Sequence, residues 1–231
     1  MRVRKQSELV GWFCFDGLQH IIQTIDLMFS CVFVNLFELK IQIITNMART
    51  LSNMLPLGTL APHFELYDTV SEKNRSLQNL KGSKATVIFF ICNHCPFVIH
   101  VNEQLVKLTN DYCENGVSFI AISSNDVLNY PQDAPGLMQS VAKDANYPFP
   151  YLYDETQEVA KAYDATCTPD NYIFDANLKL IYRGQLDDSR PGNGIDVTGD
   201  DIRNALDCLL SNKENAHLQK PSIGCNIKWI D

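Results

Sequence analysis

Cys92 and Cys95 lie in the run Thr86-Val-Ile-Phe-Phe-Ile-Cys-Asn-His-Cys-Pro96, and together they form a pair of thiols able to close a disulfide. The apolar run before them, Ala85 to Ile91, has β character, and the residues after them follow a helical pattern. A thiol at a strand end and a helix start meets unpaired backbone N–H groups and the positive end of the helix dipole, which favour an anion. Thiolate is the reactive form, so this position is expected to lower the Cys92 pKa. His94, between the two cysteines, would stabilise a Cys92 thiolate further when protonated. The competing chemistry is structural zinc, whose second half-site usually repeats the same spacing. No second Cys-x-x-Cys exists, and Cys14, Cys31, Cys113, Cys167, Cys208 and Cys225 are scattered. Redox chemistry is the stronger reading.

Those thiols sit in a chain of 231 residues with 45% hydrophobic content, enough to bury a full core, and most simply one domain. A formal charge of −8 and the lack of a Lys/Arg cluster argue against nonspecific nucleic-acid binding. Eight cysteines in this length are too dilute for a disulfide scaffold. Residues 1–46 read differently from the rest: four basic residues (Arg2, Arg4, Lys5, Lys40) balance four acidic ones (Glu8, Asp16, Asp26, Glu38). Their uncharged apolar stretch, Leu27 to Phe37, is 11 residues long, short of the roughly 20 that span a bilayer. It could serve as a signal-peptide apolar region, but no small-x-small cleavage pattern follows it. The expectation is an N-terminal extension over 1–46, outside the fold, and a domain over 47–231 with Met47 as its start. A cytoplasmic location follows, with a membrane anchor or periplasmic export as the alternative if residues 1–46 act as a signal.

The remaining pattern is regular. Ala61–Tyr67 alternates as a strand entered through Pro62, and Ser76–Leu80 leads to a turn at Lys81-Gly-Ser-Lys84. Ala85–Ile91 suits a central strand buried on both faces. Phe97, Val101, Leu105, Leu108 and Tyr112 recur at helical spacing, with Pro96 tolerated in the first turn and Asn115-Gly116 as the stop. Val117–Ile122 is the next buried strand, which implies a right-handed parallel crossover. A looser stretch holds Pro131 and Pro135, then a short helix around 136–145, a strand at 149–153 and a helix capped by Asp154. Asn171–Phe174 and Leu178–Tyr182 form an antiparallel hairpin, and Thr198 is expected to cap a closing helix. The last 20 residues look irregular.

A parallel βαβ unit, an antiparallel hairpin and a closing helix, with Cys-x-x-Cys after the first central strand, resemble the thioredoxin superfamily. The expected fold class is therefore α/β: a thioredoxin-like mixed sheet flanked by helices, with an extra segment between the βαβ and ββα halves. Phe90-Ile-Cys-Asn-His-Cys-Pro-Phe-Val98, Cys167-Thr-Pro-Asp170, Tyr182-Arg-Gly-Gln-Leu-Asp-Asp188 and Pro221-Ser-Ile-Gly-Cys-Asn-Ile-Lys-Trp229 resemble the peroxiredoxin-like, AhpC/TSA- and ResA/TlpA-related proteins.

The resemblance implies a thiol-disulfide oxidoreductase in which Cys92 attacks, Cys95 resolves and His94 tunes the pair, as in the oxidising Cys-Pro-His-Cys motif that Cys-Asn-His-Cys is similar to. It also implies that Thr168-Pro169 is the cis-proline loop facing the thiols, catalytic through Pro169 and binding an extended substrate strand through Thr168 and Pro169. Cys167 and Cys225 are possible additional thiols. Implied partners are protein or small-molecule disulfides and a thiol donor such as thioredoxin or glutathione, with no cofactor and no resident metal. The main alternative is a thiol-dependent peroxidase using Cys92. The family's Pro-x-x-x-Thr/Ser-x-x-Cys pattern has Ala85 and Phe89 here, so the peroxide-holding hydroxyl is missing and Arg183 would have to supply positive charge. A second alternative is a copper or zinc chaperone using Cys92, His94, Cys95, Cys167 and Cys225.

Overall fold

The computed structural model describes residues 49–230. The extension expected over 1–46 and the boundary at Met47 lie outside the described residues.

In chain order the elements are β1 (Thr50–Leu51), β2 (Glu65–Asp68), β3 (Lys73–Ser76), α1 (Leu77–Leu80), β4 (Ala85–Phe90), α2 (Pro96–Tyr112), β5 (Val117–Ser123), α3 (Pro135–Asp144), β6 (Tyr151–Tyr153), α4 (Glu158–Ala162), β7 (Cys167–Thr168), β8 (Asp170–Asp175), β9 (Leu180–Gly184), α5 (Asp200–Leu210) and β10 (Ile223–Asn226). Seven strands form one sheet in the order β3-β2-β6-β5-β4-β8-β9. β4 runs parallel to β5 and antiparallel to β8, so the sheet is mixed, as expected for a thioredoxin-like fold. The stretch from Ser124 to Cys167, carrying α3, β6 and α4, is the extra segment between the two halves.

β4 is central because all six of its residues are buried, and side chains alternate across the sheet with period two. Ala85, Val87 and Phe89 face a core shared with α2 (Val98, Val101, Leu105, Leu108), α3 (Met138, Ala142) and α5 (Ile202, Ala205, Leu206). Ile88 and Phe90 face a second core with Leu77 and Leu80 of α1, Ala160 of α4, Tyr163 and Tyr172. Each such apolar side chain contributes about 1.5–3 kcal/mol on burial. The strand is therefore a rigid platform, and the residues that follow its C-terminal end inherit that rigidity.

Several expectations change. The cap of α4 is Gln157, at φ 61, rather than Asp154, whose carboxylate instead accepts from the Val159 and Ala160 N–H groups at 3.4 and 2.9 Å. The cap of α5 is Gly199, at φ 73, rather than Thr198; Asp187 holds the approach by accepting from the Thr198 and Gly199 N–H groups at 2.7 Å. A left-handed backbone is glycine's conformation, which is why the threonine lies one residue outside. The last 20 residues are not wholly irregular, since β10 joins β1 and β7 in a second, three-stranded sheet ordered β1-β10-β7. Among the described residues no helix is long and apolar enough to cross a membrane.

Candidate active site

Pro96 sits at the first helical position and makes Cys95 the N-cap of α2, because proline has no N–H to satisfy there. β4 has already ended at Phe90, so Cys92 lies in the connection, three residues before the cap. The helix dipole accordingly acts first on Cys95, and the expected helix-start position of Cys92 is corrected by Pro96. Both thiols are free and enclosed, Cys92 at 2% and Cys95 at 0% exposure.

Across from them the Thr168–Pro169 peptide bond is cis, as expected. Thr168 touches both thiols: its hydroxyl lies 3.5 Å from Cys92 Sγ, and its carbonyl accepts from Cys95 Sγ at 3.1 Å. Hydrogen bonds from Cys225 and from Cys92 pull the Cys95 thiol well below its ordinary value, helped by the N–H of Val98. Donating to Cys95 pushes the Cys92 thiol up, and burial and the Asp133 carboxylate add to that. Of the two thiols, Cys95 is therefore the one whose ionisation its surroundings favour. This reverses the expectation of a low-pKa Cys92, because that expectation counted a helix N-terminus and missed the contact with Cys95 and the burial of the sulfur, to which the Asp133 carboxylate adds.

Asp133 comes from the looser stretch between β5 and α3 and is fully buried. It is fixed by the Asn93 N–H donating to Oδ1 and the Asn125 side-chain amide donating to Oδ2, both at 2.8 Å. The Asn93 side chain ties the same loop to the thiol connection, donating to the Gln132 carbonyl at 2.9 Å and accepting from the Tyr151 hydroxyl at 3.1 Å. His94 Nδ1 stands 2.7 Å from Asp133 Oδ2, a close contact not aligned as a hydrogen bond. The imidazole stacks on Tyr130 at 5.8 Å between centroids. Asp133→Asn removes the repelling charge while keeping the shape, so the midpoint of Cys92 alkylation against pH is expected to move down. A midpoint unchanged or moved up would show that the Asp133 field does not set the thiol.

β10 closes the site from the other side. It pairs antiparallel with β7, Cys225 opposite Thr168 and Asn226 opposite Cys167. Thr168 was expected to offer its backbone to a substrate strand; here the chain's own C-terminal strand lies along it. The fit is tight enough to need glycine: a Cβ on Gly224 would stand 1.9 Å from the Thr168 carbonyl oxygen. Gly224→Ala is expected to cost about 1–3 kcal/mol in denaturant unfolding and to speed Cys225 alkylation as β10 lifts. Wild-type stability and wild-type alkylation together would refute this account of the contact.

The other expected residues fall away from the thiol pair. Cys167 is fully buried, and burial, then Asp170, push its thiol far up, so it packs as a small apolar group. Arg183, the cation a peroxidase reading needs, is also fully buried. Its guanidinium donates to the Asp164 carbonyl at 2.6 Å and to Asp170 Oδ2 at 3.1 Å, and lies 4.7 Å from the Tyr172 ring centroid. Of the proposed soft-metal set, Cys92 and His94 come together with Asp133, their ligand atoms within 4.8 Å; Cys95, Cys167 and Cys225 are not in that group.

The sequence model of the Redoxin family matches residues 56–202. Among solved structures, an uncharacterized conserved protein from Geobacillus kaustophilus is 60% identical, covering 80% of this chain and 98% of its own, with a TM-score of 0.79. A hypothetical protein from Sinorhizobium meliloti is 46% identical over 78% of this chain and 98% of its own, with a TM-score of 0.76. The thioredoxin domain of a thiol-disulfide oxidoreductase from Bacteroides vulgatus shares the fold at 18% identity, covering 68% of this chain and 99% of its own, with a TM-score of 0.54. No curated protein gives a significant sequence match.

Proposed function

We propose, from the premise that the chain belongs to the Redoxin family, a peroxiredoxin-like branch of the thioredoxin superfamily, that it is a thiol-disulfide oxidoreductase working through the Cys92–Cys95 pair. One observation carries the reading: both sulfurs converge on Thr168, immediately before cis Pro169. Two thiols held together at a strand end can close a disulfide once a substrate disulfide accepts their two electrons.

The first step starts from the form in which Cys95 is ionised and has given up its hydrogen bond to the Thr168 carbonyl. As a disulfide substrate reaches Cys92, the Cys92 proton passes to Cys95 and the Cys92 thiolate attacks. One substrate sulfur joins Cys92 and the other leaves as a thiolate. Cys95, now a thiol, gives its proton to the thiolate that left first and attacks Cys92 Sγ, which forms the Cys92–Cys95 disulfide and releases the second substrate sulfur as a thiolate that takes its proton from water. Two electrons pass from the pair to the substrate, and every step runs backward under an oxidising poise. The Thr168 hydroxyl steadies charge on Cys92 through its contact with that sulfur. A thiol donor of the thioredoxin or glutathione class must re-reduce the pair for turnover.

Peroxide reduction is the weaker reading. Arg183 is committed to Asp164 and Asp170, and the charge facing Cys92 is the Asp133 carboxylate, which opposes both the Cys92 thiolate and the hydroxide that leaves a peroxide. The discriminating experiment presents the reduced chain with either a chromogenic aromatic disulfide or hydrogen peroxide. Rapid release of the aromatic thiol with formation of a Cys92–Cys95 disulfide is expected from the first, and slow oxidation from the second. The opposite ranking would overturn the proposal.

A further inference from the structure

We propose that Cys225 is a third redox thiol, exchanging with the Cys92–Cys95 disulfide at Cys95 to produce a Cys95–Cys225 disulfide and a free Cys92. The inference rests on the exchange reading and deepens it.

The observations come from elements far apart in sequence. β10 is held along β7 by its pairing, with Cys225 directly opposite Thr168. Thr168 is the residue whose carbonyl accepts from Cys95 Sγ. The absent Cβ of Gly224 lets β10 approach the cis-proline loop closely. The segment beyond β10 is fastened as well: the Ile227 N–H donates to the Thr166 carbonyl at 3.0 Å, and the Lys228 N–H to Asn125 Oδ1 at 2.9 Å. Asn125 is also the residue that holds Asp133. Cys225 is thus buried with Cys92 and Cys95 in one cluster, as a fixed neighbour of Cys95 rather than a mobile tail thiol.

Thr168, which touches the Cys92 and Cys95 sulfurs, stands opposite Cys225. Cys225 and Cys92 are the two groups that most lower the Cys95 thiol, so Cys95 is the sulfur common to both possible disulfides. In the reduced site the bond to Cys95 pushes the Cys225 thiol up, followed by burial. That first cause requires charge on Cys95, and it disappears once Cys95 is bonded to Cys92. Oxidation of the pair therefore releases Cys225 to act. The Cys225 sulfur attacks Cys95 Sγ, the Cys92–Cys95 bond breaks, the Cys95–Cys225 bond forms, and the Cys225 proton ends on Cys92. No electrons enter or leave; the disulfide passes from Cys92 to Cys225 and Cys92 is free to meet a second substrate.

The test uses the full chain. Reduced protein is brought to equilibrium with glutathione disulfide at graded ratios to glutathione, quenched in acid, alkylated and digested with trypsin. Cys92 and Cys95 share one tryptic peptide and Cys225 lies in another, so a Cys225 bond cross-links two peptides and fragmentation assigns its partner. The expected result is a cross-link from Cys225 to Cys95, with loss of Cys225 alkylation and return of Cys92 alkylation. In Cys92→Ser, glutathione captured by Cys95 is expected to be displaced by Cys225, giving the same cross-link. A Cys92–Cys95 disulfide formed with Cys225 fully alkylated at every ratio overturns the inference and leaves the exchange reading intact. A cross-link from Cys225 to Cys92 overturns the assigned order. Absence of any disulfide among the three thiols overturns both readings.

Discussion

Cys95→Ser is expected to trap the reaction halfway, leaving Cys92 bonded to half of its disulfide substrate as a mixed disulfide stable enough to isolate. A serine hydroxyl at the helix cap cannot complete the exchange, and the pair can no longer close. Cys92→Ser removes the nucleophile, and turnover of a disulfide substrate should fall by roughly 10⁴-fold or more, the scale on which nucleophile deletions operate. The two variants separate the roles. Equal trapping on Cys92 and on Cys95, each in the absence of the other, would show that the structure does not distinguish attacker from resolver. Cys225 complicates only the Cys92→Ser arm, where it offers Cys95 another partner, so the trapping test belongs on Cys95→Ser.

The second large effect lies beneath the site. Arg183 and Asp170 are both wholly enclosed and paired at 3.1 Å, and Asp170 directly follows the cis proline. Removing one member of a buried pair leaves the other without its counter-charge, which costs about 3–5 kcal/mol. Arg183→Met is therefore expected to lower Tm on the order of 10 °C, while Arg183→Met with Asp170→Asn should recover much of the loss because both charges go together. Burial raises the Asp170 carboxyl to about 6, with Arg183 pulling it back. An acid whose folded pKa is raised binds its proton more tightly when folded, so this group's contribution falls as pH rises from about 3.8 to about 6. Without Arg183 the folded pKa climbs further and the loss extends to higher pH. The single variant should then lose most stability above neutrality and least near pH 4. A pH-independent loss, or a double variant as unstable as the single one, would contradict the paired-charge account.

What the sequence revealed and what it hid follows from range. β4 and α2 were legible because their apolar residues repeat locally, and the thiol pair stands out because its spacing is itself the signal. The cis-proline loop was legible through family likeness, although Thr168 and Pro169 carry no local sign of facing Cys92. Asp133 was invisible: it stands among turn-forming residues 40 positions from Asn93 and becomes a site residue only when the Asn93 N–H reaches back to it. β10 was missed because four residues containing a glycine are too short to show alternation, and its partner β7 is shorter still. The misplaced helix start was avoidable, since Pro96 marks the first helical position and hence Cys95 as the cap.

The most direct test of the central claim is the equilibrium of the reduced chain with a glutathione redox buffer, read by mass as alkylated thiols at each ratio. The account predicts that Cys92 and Cys95 lose their alkylation in one reversible two-electron transition, or hand the bond to Cys225 within that same transition. Its midpoint should fall between about −270 mV, the thioredoxin-like end, and about −120 mV, the strongly oxidising end. Cys92 and Cys95 alkylated independently at every ratio, with no shared couple, would contradict it.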